Sequence, residues 1–173
     1  MIEKQPDGSI KKTIIRTTRR VVEAPPPPAR PADPYPSDPL VKYNVDRVNA
    51  YRAQKGLRPL LYDAKVSAFA RRGSEQLARD HTPHAHFAAN AKGAAELGTK
   101  SAENQGDPNG VPPLEADPVR NGKKQIDVML QLMFDEGPGG GHYDNMMNPD
   151  LRRIGIGLVY AGGKLYLTND LSN

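Results

Sequence analysis

The stretch DEGPGGGHYDNMMNP, Asp135 to Pro149, sets two acids before a glycine-rich turn and a histidine directly after it. The other three histidines, His81, His84 and His86, crowd together in HTPHAHF, far from His142 along the chain. Imidazole works near neutral pH as acid, base or metal ligand, so this separation points to a site assembled from distant parts. Other chemistries are thinly provided for. The chain has no cysteine, which excludes disulfides, thiolate metal sites and cysteine nucleophiles. Neither HExxH nor GxSxG occurs, and the few serines show no activating arrangement.

The elements that must position these groups can be read from spacing. Asp38 is placed to cap a helix and Pro39 suits its first position; Val41, Val45 and Val48 recur at helical spacing up to Tyr51 and Arg52, and Gly56 ends the element. A second helix begins near Asp63, carries Val66, Phe69, Ala70, Gly73 and Leu77 on one face, and fades between Asp80 and Pro83. The stretch Asn104 to Gly122 is rich in turn formers, has no periodicity, and reads as a long loop. Ile126, Met129, Leu130 and Met133 mark a third helix that stops at EGPGGG. The period then changes to two: Ile154, Ile156, Leu158 and Tyr160 alternate with Gly155, Gly157 and Val159, and the alternation resumes at Leu165 and Leu167 after AGG, as in a hairpin. Gly155 and Gly157 share one strand face, where a helix or another backbone is expected to pack close. Helices first and antiparallel strands last indicate a layered α+β domain and not a βαβ nucleotide-binding fold.

At 173 residues there is room for one domain and a tail. Residues 1–31 hold seven Lys or Arg against three acids, which is the whole net charge of +4; the rest carries seventeen of each sign. The basicity therefore belongs to the leader and argues against a nucleic-acid-binding domain, as does the lack of aromatics among the basic residues. APPPPARPADPYPSDP, Ala24 to Pro39, favours an extended spacer. The expected organisation is a basic, Pro-rich disordered tail and linker over 1–36 and a domain over 37–173. No apolar run is long enough to span a bilayer, and the first residues lack the apolar core of a signal peptide, so export would rely on a leader already removed.

Taken in order, VNAYRAQKGLRPLLYDAKVSAFAR (Val48 to Arg71), a histidine, AEN (Ala102 to Asn104), an acid ahead of GHYDNMM, and RRIGIGLVYAGGKLYLTNDL resemble the CAP superfamily. This is the SCP-like family of cysteine-rich secretory, antigen 5 and pathogenesis-related proteins. The resemblance covers Leu40 to the C-terminus and implies an α-β-α sandwich with a small, three-stranded antiparallel sheet. It also implies a cleft lined by two histidines and two acids. His142 in GHY and Glu103 in AEN match directly, and Glu136 in FDEG matches the second acid, with Met133 where the family usually has tryptophan. The family spacing for the first histidine falls between His84 and His86. His86 is preferred because it precedes Phe87 and leaves the Pro83 turn behind it; on an extended segment the two would share a face and chelate together.

By that resemblance the metal-lining set is His86, Glu103, Glu136 and His142, with Zn2+ the first choice among divalent cations. His142 would open a short helix, whose dipole disfavours imidazolium and so favours the neutral form a metal needs. Glu136 would end the third helix, where the dipole opposes a carboxylate and calls for a cationic partner. His81 is expected to be incidental, Met129, Met133, Met146 and Met147 to be core, Tyr143 to pack, and Asn104 to hold local backbone. The function expected is an exported, monomeric, non-enzymatic module, secreted, periplasmic or at the cell surface. Its cleft would take a divalent cation and a lipid, peptide-like or other small ligand. The alternative is a metal-dependent hydrolase using the same cleft, with Glu103 or Glu136 as general base.

Overall fold

The computed structural model describes residues 2–4, 10–12, 33–108 and 115–173. The chain divides into two compact units, Met1–Arg30 and Pro31–Asn173. In the first, strands β1 (Ile2–Lys4) and β2 (Ile10–Lys12) pair antiparallel, a feature with no signal in the sequence reading. The Pro-rich run over 24–32 lies outside the described residues. The last residues expected as linker belong to the second unit: the Asp33 amide donates to the Tyr62 carbonyl, and Tyr35 stacks on Tyr62 at 4.9 Å between ring centroids.

The second unit's first helix is α1 (Pro39–Gln54), where the Asp38 carboxylate accepts from the Leu40 amide, and the chain leaves through Gly56 in the left-handed region, φ +67°. A two-residue strand β3 (Leu61–Tyr62) leads to α2 (Ala64–Asp80), capped by Asp63 through the Lys65 and Val66 amides. Then come α3 (Ala85–Asn90), a 3-10 turn over Ala95–Leu97, β4 (Ser101–Gly106), α4 (Pro118–Asp135), α5 (Gly141–Met146), β5 (Arg153–Ala161) and β6 (Lys164–Ser172). The sheet order is β3-β5-β6-β4, antiparallel except that β3 runs parallel to β5.

The expected irregular loop at 104–122 is corrected here: its start completes β4 and its end is the first turn of α4, capped by Asp117. Residues 109–114 lie outside the described residues. SAENQG lacks β-branched and aromatic residues, so its strand comes from pairing with β6, register Ser101↔Ser172 through Gly106↔Leu167, and not from propensity.

Strand alternation sorts the layers. Ile154, Ile156, Leu165, Leu167 and Leu171 face α1 and α4, where they join Val45, Val48, Ile126 and Leu130 in the main core. The opposite face packs on α2. A Cβ on Gly155 would lie 2.2 Å from the Val66 carbonyl carbon, and one on Gly157 would lie 2.3 Å from the Ala70 carbonyl oxygen. The two glycines therefore let the α2 backbone rest directly on β5, as their shared face predicts. The hydroxyls beneath α2 satisfy this close packing: Ser67 accepts from the Ile156 amide at 2.9 Å, and the Ser74 hydroxyl lies 3.0 Å from the Gly157 carbonyl and 2.8 Å from the Thr168 hydroxyl.

Since the obstructing atoms are backbone, neither side can rotate away. Gly157→Ala is expected to destabilise the domain by about 3 kcal/mol, at the upper end of overpacking costs, in urea unfolding monitored by circular dichroism. A loss below about 0.5 kcal/mol, the level of an inert surface change, would contradict this packing.

Candidate functional site

The turn at the C-terminus of α4 is built by Gly137 (φ +68°) and Gly139 (φ +94°), conformations that disfavour any side chain. At Gly140 a Cβ would come 2.4 Å from the Glu136 Cβ, so glycine leaves room for that side chain to fold back. Glu136 reaches His142 twice: its Oε2 accepts from the His142 amide at 2.9 Å, and its Oε1 lies 2.5 Å from the ring Nδ1. These bonds hold the Glu136 carboxyl below its ordinary value, the ring bond contributing most. His142 is thus the hydrogen-bonding partner of Glu136 at this helix end.

A second carboxylate–imidazole pair stands nearby. Glu103 on β4 has its side chain only 2% exposed, and its Oε1 lies 2.8 Å from Nδ1 of His84. Burial raises the Glu103 carboxyl, and the bond to His84 opposes that rise. His84 is the residue before α3 and adopts φ +64°, one of two non-glycine residues with positive φ among those described. Its amide donates to Gln105 Oε1 at 2.6 Å, and Gln105 Nε2 donates to the Thr168 hydroxyl at 3.0 Å. Glu103 and Gln105, two apart on one strand face, fix the ring and the backbone of the same histidine.

The two pairs share one open cleft of about 440 Å³, lined by His84, Glu103, Glu136, His142 and Asn145. The His84 and His142 ring centroids are 6.2 Å apart.

His86, expected as the first cleft histidine, lies elsewhere. Its ring packs edge-on against Phe69 at 4.5 Å, and it lines a separate cleft with Arg72, Gln76 and Arg79. Burial, with help from Arg72, pushes its imidazole down. The physical reason is that the chain becomes helical at Ala85, so residues two apart no longer share a face. For the same reason His84 and His86 do not form a chelating pair. His81 bonds Asp107 at 2.9 Å, and Tyr143 is buried against Phe134.

As the side chains stand, no group of three or more His, Cys, Asp or Glu among the described residues could hold a metal ion. The four cleft groups are two imidazoles, each bonded through Nδ1 to a carboxylate, and not four converging ligands. An ionised carboxylate only accepts, so Nδ1 is the donor in each pair, and it is in the neutral ring that Nε2 keeps its lone pair. Sequence reasoning also passed over Asn145 and Gln105. Position alone offered little signal for either, since amides in such stretches usually satisfy local backbone.

The sequence profile of the cysteine-rich secretory protein (CAP) family matches residues 45–170, and the chain belongs to that family. No curated protein matches the chain in sequence. Among solved structures, an extracellular protein containing an SCP domain from Bacillus anthracis is similar at TM-score 0.53 and 17% identity, over 82% of this chain and 45% of that one. The CAP domain of enterococcal PrgA is similar at TM-score 0.52 and 17% identity, over 78% and 59%. NaASP2, crystallised with Zn2+, is similar at TM-score 0.52 and 13% identity, over 76% and 78%. This chain thus spans less than half the length of the Bacillus anthracis protein. The likenesses establish the fold, an α-β-α sandwich of CAP type without cysteine. No helix among the described residues is long and apolar enough to cross a membrane.

Behind Glu103 sits a second acid. Asp170, its register partner on β6, is 0% exposed, and neither carboxyl oxygen has a hydrogen-bond partner. Burial, with Glu103 adding to it, raises the Asp170 carboxyl well above its ordinary value. A raised folded-state value favours the folded protein below the unfolded value, and that contribution is lost as pH climbs through the folded one. A carboxamide at this position has no such dependence, so Asp170→Asn is expected to gain stability relative to wild type between pH 4 and pH 7, read from urea midpoints at both. Parallel behaviour of the two proteins would show that Asp170 does not titrate as its burial requires.

Proposed function

We propose that this chain is an exported CAP module whose cleft binds a divalent cation, Zn2+ foremost, through Nε2 of His84 and His142, and that it is not an enzyme. The observation that carries this reading is the pairing of each ring's Nδ1 with a carboxylate. Metal-binding histidines commonly donate their second ring N–H to a carboxylate, which fixes the tautomer and raises the basicity of the free nitrogen. The donor set therefore fits a cation with two protein ligands, and the other coordination positions would be left to water or to a ligand. A bound ion would supply a Lewis-acidic centre able to hold an anionic group of a lipid, peptide or other small molecule. Glu103 and Glu136 serve as orienting groups in this reading, where the sequence had them as ligands.

The same pairing changes the hydrolase alternative: with both carboxylates bonded to imidazoles, the general base there would be a histidine Nε2 and not Glu103 or Glu136. Export is supported by the extracellular relative and by the family's secretory character. The neutral balance of charge outside the leader supports a domain with no nucleic-acid partner, and a basic tail and linker ahead of a monomeric domain remains our reading of its organisation.

Calorimetric titration with Zn2+ tests the proposal. His84→Ala and His142→Ala are each expected to weaken binding by more than about tenfold, while His86→Ala stays near wild type. Unchanged binding by His142→Ala would overturn the site. Metal-dependent peptide hydrolysis that is lost in His142→Ala would replace the binding module with the hydrolase.

A further inference from the structure

The cleft's two halves come from different parts of the fold, and something must set their spacing. His84 and Glu103 belong to the α2–α3 connection and β4, whereas His142 and Glu136 belong to α5 and the end of α4. α5 is only six residues long, and Tyr143 and Met146 are its buried residues. A short helix with so small an apolar face has little to fix its rotation about its own axis. Arg52, 1% exposed, holds its C-terminal end by donating to the carbonyls of Met146 at 2.6 Å and Asn148 at 3.1 Å.

The cleft side is held by two amides. Asn145 Nδ2 donates to the Glu103 carbonyl at 3.1 Å and to Asn104 Oδ1 at 2.9 Å. Asn104, 0% exposed, returns a bond from its own Nδ2 to the His142 carbonyl at 2.9 Å. The three bonds close a ring between α5 and β4, and both Asn145 amide protons are used in it. Asn145 lies three residues after His142, on the same face of α5. Any rotation that breaks the ring therefore carries the His142 ring with it.

We propose that Asn145 is the positioning residue that holds His142 in register with His84, so that the two imidazoles act as one cation site. This rests on the cation-binding reading above. Asn145→Asp keeps the shape but turns both donated bonds into contacts between acceptors, which drives α5 away from β4. It also adds negative charge beside the cleft, which by charge alone would strengthen cation binding. Loss of affinity is therefore diagnostic of register and not of charge.

The test is calorimetry with Zn2+ alone on wild type, Asn145→Asp and Asn145→Ala, at a temperature where circular dichroism shows each to be folded. Both variants are expected to bind about tenfold more weakly, in line with other groups that orient metal ligands. In protein labelled with 15N-histidine, Zn2+ should move the His84 and His142 ring signals over one concentration range in wild type and over separate ranges in the variants. Should Asn145→Asp not fold, Asn145→Ala carries the test. Affinity within about twofold of wild type in either folded variant, or ring signals that still move together, overturns the proposal. Wild type that takes no Zn2+ removes the cation reading itself, and this inference with it.

Discussion

The pleat of one edge strand governs the cleft. Glu103 and Asn104 are neighbours on β4, and in a strand neighbours point to opposite faces. Glu103 turns toward the α2 layer, where it meets His84, and Asn104 turns toward the α4–α5 layer, where it meets His142. A slip of one residue against β6 would exchange these faces and separate both histidines from their partners. The six-residue register with β6 is therefore what brings two distant histidines to one opening.

The same face of the sheet accounts for the cost of the arrangement. Glycines at 155 and 157 bring α2 down onto β5, which leaves Glu103, Gln105, Thr168 and Asp170 in a thin polar layer beneath it. Gly73 on α2 extends this logic, since a Cβ there would approach Gln105 Nε2 at 3.2 Å and Glu103 Oε2 at 3.3 Å. Buried carboxyls without partners are expensive, and Glu103 Oε2 and both Asp170 oxygens are such atoms. Native proteins keep such groups where a function or a protonation state accounts for them, and here they lie directly behind a cleft imidazole.

The sequence told most about the parts governed by local rules. The cap at Asp38, the start of α2 near Asp63 with its apolar spacing, and the alternation of β5 are local, and each stands where its residues indicated. The glycine turn before His142 was legible too, because its purpose follows from joining a helix end to a helix start. β4 was not, since nothing in SAENQG favours a strand until β6 is beside it. That His84 and not His86 meets Glu103 was illegible for a related reason. It depended on one residue entering the left-handed region, for which histidine is a far weaker signal than glycine. Residue type picked out Glu103, Glu136 and His142 as cleft groups without telling which atom of each faces which.

The central claim is that each cleft histidine is held by a carboxylate at Nδ1 and offers Nε2 to the opening. It is tested most directly by two-bond 1H–15N correlation spectra of 15N-histidine-labelled protein at pH 8 without added metal. The account predicts that His84 and His142 both show a protonated Nδ1 and a bare Nε2. A protonated Nε2 on either ring would contradict it.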